Sequence, residues 1–402
     1  MKKKIGKSIC FIGIVCAALW IGIASMGSKK IVSASTQRDI FAENEEEPGV
    51  SEIADIYLSE LDFDELSRRA QSGGMAEEEF PELVKQLVQG EEVLSVTGLF
   101  ERLKRYFFAN VSKSAVSFWE LIAIGIVGSI FTVLSKSISI RQTSETGFYI
   151  AYLLLVAVLT VSYGKIAGIA ESALQSTTEF TRALAPVFFV CVTAASGSAS
   201  ANVFYQFTIF LIAAVQEVLL GIVLPLSKVY FAVSIANYVS QRDMLSRLLR
   251  LFETIVKWLL RGLLGICVSY NFVQSLVVPA ADRLQKNILI RSVGAIPGIG
   301  NKLAGVWQTM LGSGVLVKNA VGTAGILVLI GIVFAPSVKI FVSQLMYRLG
   351  AAFLQPVADK RMIRCVESSA VAVNLLFQSV ICSAVLIVLS LAIVMSATNG
   401  MI

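Results

Sequence analysis

Apolar residues dominate the chain from about residue 116 onward, where they gather into long runs separated by short polar stretches. The runs are Phe118–Leu134, Phe148–Tyr163, Ala183–Ala195, Val203–Leu226, Gly262–Ala280, Ala320–Ala335, Val338–Phe353 and Val373–Met395. Runs of about twenty apolar residues can cross a bilayer as helices, because a helix satisfies its own backbone hydrogen bonds in lipid. The pattern predicts an all-α, polytopic membrane protein whose multi-spanning domain covers residues 116–402 with about six to eight spans.

The run Ala183–Ala195 is shorter than a bilayer requires and contains a proline, Pro186. A stretch of small residues that includes Gly197 follows it directly. We expect this run to be either a short helix of a hairpin or a re-entrant segment, since broken apolar segments of this kind occur within membrane domains.

The first 35 residues have the features of an export signal. Four lysines near the N-terminus precede an apolar stretch at 8–27, and the small residues Val32, Ser33 and Ala34 offer a cleavage site. An uncleaved N-terminal anchor is the alternative, because the apolar stretch is long and two lysines follow it. In both cases the next segment is predicted to be exported.

Residues 36–115 are predicted to form a small, acidic, helical domain on the extracytoplasmic side. Three stripes of apolar residues follow helical spacing: Ile53, Ile56, Tyr57, Leu61; Phe80, Leu83, Val84, Leu87, Val88; and Val96, Leu99, Phe100, Leu103, Phe107. The short amphipathic helices either pack on one another or present a face to a partner. Eighty residues make only a marginal core, which keeps the second possibility open.

Composition and charge support this division. Hydrophobic residues make up 55% of the 402-residue chain, charged residues 15%, and the mean hydropathy is +0.74. Residues 36–101 hold 18 of the 28 acidic residues but only 4 of the 34 basic ones. The basic residues elsewhere flank apolar runs, which suits anionic lipid headgroups and argues against nucleic-acid binding.

The chain contains no histidine, which excludes Ser-His triads, HExxH zinc sites and histidine proton relays. Its six cysteines include no CxxC pair, and the glycines form neither a P-loop nor a dinucleotide fingerprint. We therefore expect no catalytic residues, no metal and no cofactor.

A basic amphipathic helix is predicted at residues 242–261. Charged and polar residues recur there every three or four positions, and leucines, Phe252, Ile255 and Val256 fill the other side. Such a helix suits the headgroup plane on the cytoplasmic side of an anionic bilayer. The alternative is a helix packed inside the bundle with its basic face in a wet cavity.

Two polar positions within the apolar runs are candidates for function. Glu217 lies beside Gln216 within Val203–Leu226, and an acid at membrane depth needs a partner. It is a candidate for ion coupling or for a structural hydrogen bond to a neighbouring helix. Lys318 and Asn319 precede the run Ala320–Ala335; we expect Lys318 to snorkel to the membrane interface, with an opening between helices as the alternative.

The remaining candidates are small residues, prolines and an acid at predicted breaks. Gly294, Pro297 and Gly298 interrupt the membrane domain and are either part of a solute site or points of turning and close packing. Asp359 is expected at a helix end, and its sequence context gives no support for an aspartyl intramembrane protease.

The order of these motifs resembles the stage III sporulation protein AE family of endospore-forming bacteria. The resemblance rests on GAIPGIG at 294–300, the block VKNAVGTAG at 317–325 that includes Gly322, and QPVAD at 355–359 that includes Pro356. It covers nearly the whole chain, while the acidic N-terminal region matches only in character.

The resemblance implies a non-enzymatic membrane subunit of a transenvelope complex in the mother-cell membrane around the forespore. Other membrane subunits of the stage III sporulation complex are the implied partners, and the N-terminal domain is implied to lie in the intermembrane space. Such a complex resembles a secretion or feeding channel and supports late forespore gene expression. The alternative is a secondary transporter of a small solute or ion, but we find no convincing inverted repeat.

Overall fold

The computed structural model describes residues 50–70, 79–89, 141–196, 199–239, 244–294, 300–356 and 358–398. Within these ranges all regular elements are helices. They are α1 (Val50–Glu60), α2 (Asp64–Ala70), α3 (Glu79–Gln89), α4 (Arg141–Ser196), α5 (Ala199–Val218), α6 (Leu224–Val239), α7 (Ser246–Gly294), α8 (Gly300–Leu354) and α9 (Lys360–Thr398). A π-helical turn at Leu219–Val223 joins α5 to α6, so residues 199–239 form one continuous helical rod.

Several predicted runs merge into longer helices than expected. Helix α4 contains both Phe148–Tyr163 and Ala183–Ala195, and α8 contains both Ala320–Ala335 and Val338–Phe353. The re-entrant or hairpin interpretation of Ala183–Ala195 is therefore wrong. The polar residues between the two runs of α4 are good enough helix formers to continue the helix, and Pro186 costs one backbone hydrogen bond without ending it.

Four helical stretches in the described part of the chain are long and apolar enough to cross a membrane. They are Tyr149–Ala195, Val203–Val239, Thr309–Leu354 and Lys360–Ser396. The predicted run Gly262–Ala280 is helical but belongs to α7, which is not among the four. Because Phe118–Leu134 and the export signal lie outside the described residues, the total of six to eight spans stays a prediction.

Helix α9 is the central element of the bundle. From residue 368 to residue 395 none of its side chains is exposed, since α4, α6, α7 and α8 surround it. Hydrogen bonds pair Gln344 with Asn374 and Lys318 with Met395, so α8 runs antiparallel to α9. Helix α7 runs parallel to α9, because Leu260 lies beside Cys382 and Asn271 beside Ser390.

The basic helix predicted at 242–261 proves to be the first third of α7. Leu249, Val256 and Leu260 are buried in the bundle core, and the helix continues without a break to Gly294. A helix that runs parallel to a candidate span does not lie in the headgroup plane, so that placement is wrong for this part of the chain. The alternative, packing within the bundle, matches its buried side.

The short N-terminal helices do not form a separate core. Ala54 of α1, Phe80 and Val84 of α3 are buried in the same hydrophobic cluster as Phe188 of α4 and Val321 of α8. Arg69 of α2 also forms a 2.6 Å ion pair with Glu179 of α4. The short helices pack on one another, with the rings of Phe63 and Phe80 5.9 Å apart, and also on the membrane bundle of the same chain; docking onto another protein stays a prediction. The third stripe, at 96–107, lies outside the described residues.

Candidate functional site: the buried polar contacts of the central helix

The most distinctive chemistry in the described residues is a series of hydrogen bonds between α9 and the helices around it. Each of α4, α5, α6, α7 and α8 supplies a polar side chain. The bonds run from Tyr152 to Cys365 Sγ (3.6 Å), from Gln216 to Ser383 (2.7 Å), from Ser368 to Tyr238 (3.2 Å), from Asn271 to Ser390 (3.1 Å) and from Gln344 to Asn374 (3.1 Å). Hydrogen bonds of this kind hold membrane helices together where water is absent.

Lys318 ends this series near the C-terminal end of α9. Its side chain is fully buried, and its Nζ donates to the Met395 carbonyl at 3.1 Å. The carbonyls of the last helical turn have no partner in their own helix and carry the negative end of the helix dipole, so a cation is favourable there. The expected snorkelling of Lys318 is wrong, because an interior acceptor is within its reach.

Glycine allows α8 to approach its neighbours closely beside Lys318. A methyl group on Gly322 would lie 2.5 Å from Met395 Sδ and 3.0 Å from Phe188 Cε2. One helical turn earlier in the chain from Lys318, a methyl group on Gly314 would lie 2.7 Å from the Ala194 carbonyl oxygen of α4. Small residues permit such backbone contacts in membrane helices. Lys318 and Gly322 thus join α4, α8 and α9 at one point.

The structure separates the two polar residues at 216–217. Glu217 is exposed and, among the described residues, forms no ion pair, whereas Gln216 is buried and bonds to Ser383. The expectation that Glu217 bonds to a neighbouring helix is wrong: Gln216, not Glu217, lies on the face of α5 that packs against α9. The buried amide, not the acid, makes the interhelical contact.

The other predicted positions are spread over the molecule. Pro186 is exposed within α4, and Pro356 is exposed in the turn between α8 and α9. Asp359 immediately precedes α9, where its carboxylate accepts a hydrogen bond from the Arg361 backbone N–H at 2.8 Å, as N-cap residues do. Gly294 is the last residue of α7. Gly197, Pro297 and Gly298 lie outside the described residues.

Two buried amide oxygens in the series accept no hydrogen bond within the described part of the chain. They are Oε1 of Gln216 and Oδ1 of Asn271. The Oδ1 atom of Asn319, the residue after Lys318, also accepts no hydrogen bond there. Unpaired buried acceptors usually bind ordered water. In the described residues no cluster of His, Cys, Asp and Glu has the composition of a metal site.

Comparison with known proteins identifies relatives of this chain. The family model of stage III sporulation protein AE matches residues 78–398, from just before α3 to the end of α9. The chain belongs to this family. It is 23% identical over 354 residues to stage III sporulation protein AE of Bacillus subtilis (strain 168), which covers 87% of this chain and 89% of that protein. No solved structure matches the chain.

Membership of the stage III sporulation protein AE family confirms the resemblance read from the sequence and gives the chain a role in sporulation. Together with four apolar helices of sufficient length, it describes a membrane protein of sporulating cells. The matched region begins at residue 78, so α1 and α2 precede it, whereas every residue of the hydrogen bonds to α9 lies inside it.

The partners of α9 on the other helices were not predicted from the sequence, although the sequence contains a signal for them. Asn271, Gln344 and Asn374 each lie inside one of the predicted apolar runs. An amide in such a run has to pair within the bundle, since lipid offers it no hydrogen bond. The sequence does not tell which amides pair with each other, because that depends on how the helices are ordered around α9.

Proposed function

We propose that this chain is a non-enzymatic membrane subunit of a transenvelope sporulation complex between mother cell and forespore. In this proposal the chain lies in the mother-cell membrane that surrounds the forespore, and its N-terminal helices lie on the side of the intermembrane space. The complex acts as a channel-like apparatus, comparable to a secretion or feeding channel, on which late forespore gene expression depends.

The use of the buried polar groups carries this proposal. The amides of Gln216, Asn271 and Gln344 bond to side chains of α9, and Lys318 bonds to the last turn of the same helix. These groups hold the helices in register, which is the chemistry of a structural subunit. An enzyme or a coupled transporter would need such groups to meet a substrate.

The surface of the bundle supports a role in assembly. Large apolar side chains with more than half of their area exposed occur on α4, α5, α7 and α8, in the described residues of each. Examples are Ile150, Phe210, Trp258 and Phe353. Lipid covers part of this surface, and neighbouring membrane subunits are proposed to cover the rest.

Site-specific crosslinking in sporulating cells tests the proposal. A photoreactive residue at exposed Glu82 of α3 should crosslink to other membrane proteins of the stage III complex, since that side chain points away from the bundle. The matched control is Val84, which is buried two residues later and should crosslink only within the chain. Recovery of no other subunit from Glu82 or from exposed Trp258 would contradict the proposal.

A further inference from the structure

Helix α7 has two apolar faces, of which only one packs into the bundle. The inward face is buried against the other helices and includes Leu249, Val256, Leu260 and Cys267. A second set of positions, which follow one another in alternating steps of three and four residues, is exposed and begins with Leu248, Leu251, Ile255 and Trp258. At 3.6 residues per turn the two sets lie on opposite sides of the helix, so the second set points away from the bundle core.

The same steps continue through the second half of α7, where the residues are first small and then large again. They are Gly262, Gly265 and Ser269, followed by Phe272 and Leu276, and all of them are exposed. We call these positions, from Leu248 to Leu276, the outward seam; none of them is charged. An apolar repeat in steps of three and four is the pattern by which one helix winds on another.

The centre of the outward seam leaves room for another backbone. A methyl group added to Gly262 or to Gly265 would meet nothing within 4 Å. Small residues at such a point let two membrane helices approach closely. On either side of the centre the side chains are large, with Trp258 73% and Phe272 64% exposed. Straight helices that cross at the glycines would move apart towards their ends, where the large side chains fill the wider gap.

Lipid alone does not cover a seam of this length. From Leu248 to Leu276 it extends about 42 Å at 1.5 Å per residue, whereas the hydrocarbon layer is about 30 Å thick. The contacts of Asn271 and Leu260 with α9 keep α7 parallel to that candidate span. One end of the outward seam therefore lies outside the hydrocarbon, where a row of exposed apolar side chains indicates a protein contact.

A second copy of the chain matches the outward seam without any further requirement on sequence. A close crossing needs small residues on both helices at the same point. Copies inserted in one membrane with the same orientation are related by an axis along the membrane normal, so their α7 helices would run parallel and each seam residue would approach its own counterpart. Gly262 and Gly265 would then meet the same glycines of the second copy.

The charges beside the outward seam permit such a pair. Arg247 and Arg261 lie along one edge of the seam, while the other edge is apolar and includes Phe252 and Ile266. In a parallel pair of helices, each edge residue faces the residue five positions later on the opposite edge of the partner. Arg247 would face Phe252 and Arg261 would face Ile266, so no like charges meet there. The aliphatic stem of an arginine packs well on such apolar side chains.

We propose that two copies of this chain pair through the outward seam of α7, with the two helices parallel and crossing at Gly262 and Gly265. The large residues on either side of the crossing pack against their counterparts. This pairing goes beyond the proposed function, because it is a contact between two copies of the chain and does not depend on the other subunits of the complex.

Disulfide crosslinking of the full chain in membranes of sporulating cells tests the pairing. Single cysteines replace Leu251 or Ser269 of the outward seam in a chain with Cys10→Ser and Cys16→Ser. The four cysteines of the described region are buried and should react poorly. Oxidation should join two copies into a covalent dimer through either seam cysteine, because each position lies next to its own counterpart.

The matched controls are the exposed residues that directly precede the two seam positions. Arg250→Cys and Val268→Cys move the thiol about 100° around the helix, away from the partner, and should give little dimer. These variants have the same depth in the membrane as the seam cysteines, so a difference between them reports the face of α7 and not the access of the oxidant.

Gly265→Leu separates the pairing from the folding of the chain. Within one copy the position has open space, so the bundle should fold as before, whereas between two copies the new side chain would hold the backbones apart. Gly265→Leu should therefore abolish the dimer formed through Ser269→Cys. Gly164→Leu is the control, because that glycine also has open space but lies on α4, and it should leave the dimer unchanged.

Four results would overturn the proposal. As much dimer from Arg250→Cys and Val268→Cys as from the seam would mean random collision. Disulfides to a different protein would assign the seam to another partner, and no disulfide from either seam position would assign it to lipid. Persistence of the dimer with Gly265→Leu would contradict a crossing at the glycines. None of these results removes the crosslinks expected from Glu82, so failure of this inference is distinguishable from failure of the proposed function.

Discussion

At the scale of single residues, Gly322 shows how closely three helices meet. A methyl group added to Gly322 would collide with Met395 and Phe188. One added to Gly312, six residues before Lys318 on the same helix, would have open space around it. We expect Gly322→Ala to lower the free energy of unfolding by about 1–3 kcal/mol through overpacking. Gly312→Ala should leave it unchanged or raise it by up to about 1 kcal/mol.

Thermal unfolding of the two variants in detergent measures this difference. A Gly322→Ala chain as stable as the Gly312→Ala chain would contradict the prediction and show that the Met395 and Phe188 side chains move aside for the methyl group. The family block VKNAVGTAG pointed to Gly322, but only the packing shows why a larger residue is unsuitable there.

The burial of Lys318 leads to a second prediction for a single residue. Lys318→Ala should lower the free energy of unfolding by about 2–4 kcal/mol, because it leaves a cavity and removes the donor to the last turn of α9. Lys339→Ala is the control, since that lysine is exposed on the same helix and its loss should change stability by no more than about 0.5 kcal/mol. Equal losses in denaturant titrations would contradict the burial of Lys318.

Glu217 and Gln216 offer a matched pair of neighbours for a test in cells. Glu217→Gln should leave sporulation efficiency unchanged, since that carboxylate is exposed. Gln216→Glu should reduce it severely, because it puts a charge where the side chain is only 2% exposed and faces Ser383. Loss of sporulation with Glu217→Gln instead would revive ion coupling through this acid.

At the scale of helices, the hydrogen bonds to α9 determine the register of the bundle. In a double-mutant cycle, Asn271→Ala and Ser390→Ala should couple by about 0.6 kcal/mol and at most about 1.7 kcal/mol, the range seen for membrane helices. The control pair is Asn271→Ala with Ser379→Ala, because Ser379 bonds to carbonyls of its own helix. Coupling in the control but not in the test pair would exclude the proposed register.

Hydrophobic pattern alone predicted the type of element correctly but not its length. It located the apolar runs of α4 and α8, yet placed breaks near Pro186 and between Ala335 and Val338, where the helices continue. A proline inside a long helix costs a hydrogen bond, and packing against α9 and the other helices on both sides of it offsets that cost. Such packing cannot be read from a single run.

At the scale of the whole molecule, the docking of α1–α3 against α4 and α8 makes the N-terminal region part of the bundle. Val84→Asp should release these helices and make the segment before α4 sensitive to protease, because Val84 is fully buried. Lys85→Asp changes the neighbouring exposed residue and should leave the cleavage pattern of the wild-type chain. Limited proteolysis of membranes compares the two, and equal sensitivity would argue against docking.

The sequence predicted the acidic helices and their apolar stripes, but not the surface to which they bind. The apolar stripe that contains Phe80 and Val84 could pack against any apolar surface of complementary shape. The groove between α4 and α8 exists only after those helices pack antiparallel, with residues such as Phe188 and Val321 distant in sequence. Where the N-terminal helices bind depends on how the long helices are arranged around one another, which a single sequence does not reveal.

The length of the helices has a consequence for handling the isolated protein. Helix α8, with 55 residues, is about 80 Å long, whereas a detergent belt or a bilayer covers roughly 30 Å. Tilting does not absorb such a difference, so a belt that covers the exposed apolar side chains at one end of the bundle leaves those at the other end outside it. A purified chain without other subunits should therefore self-associate in any single detergent micelle, and become monodisperse when a second protein covers that end.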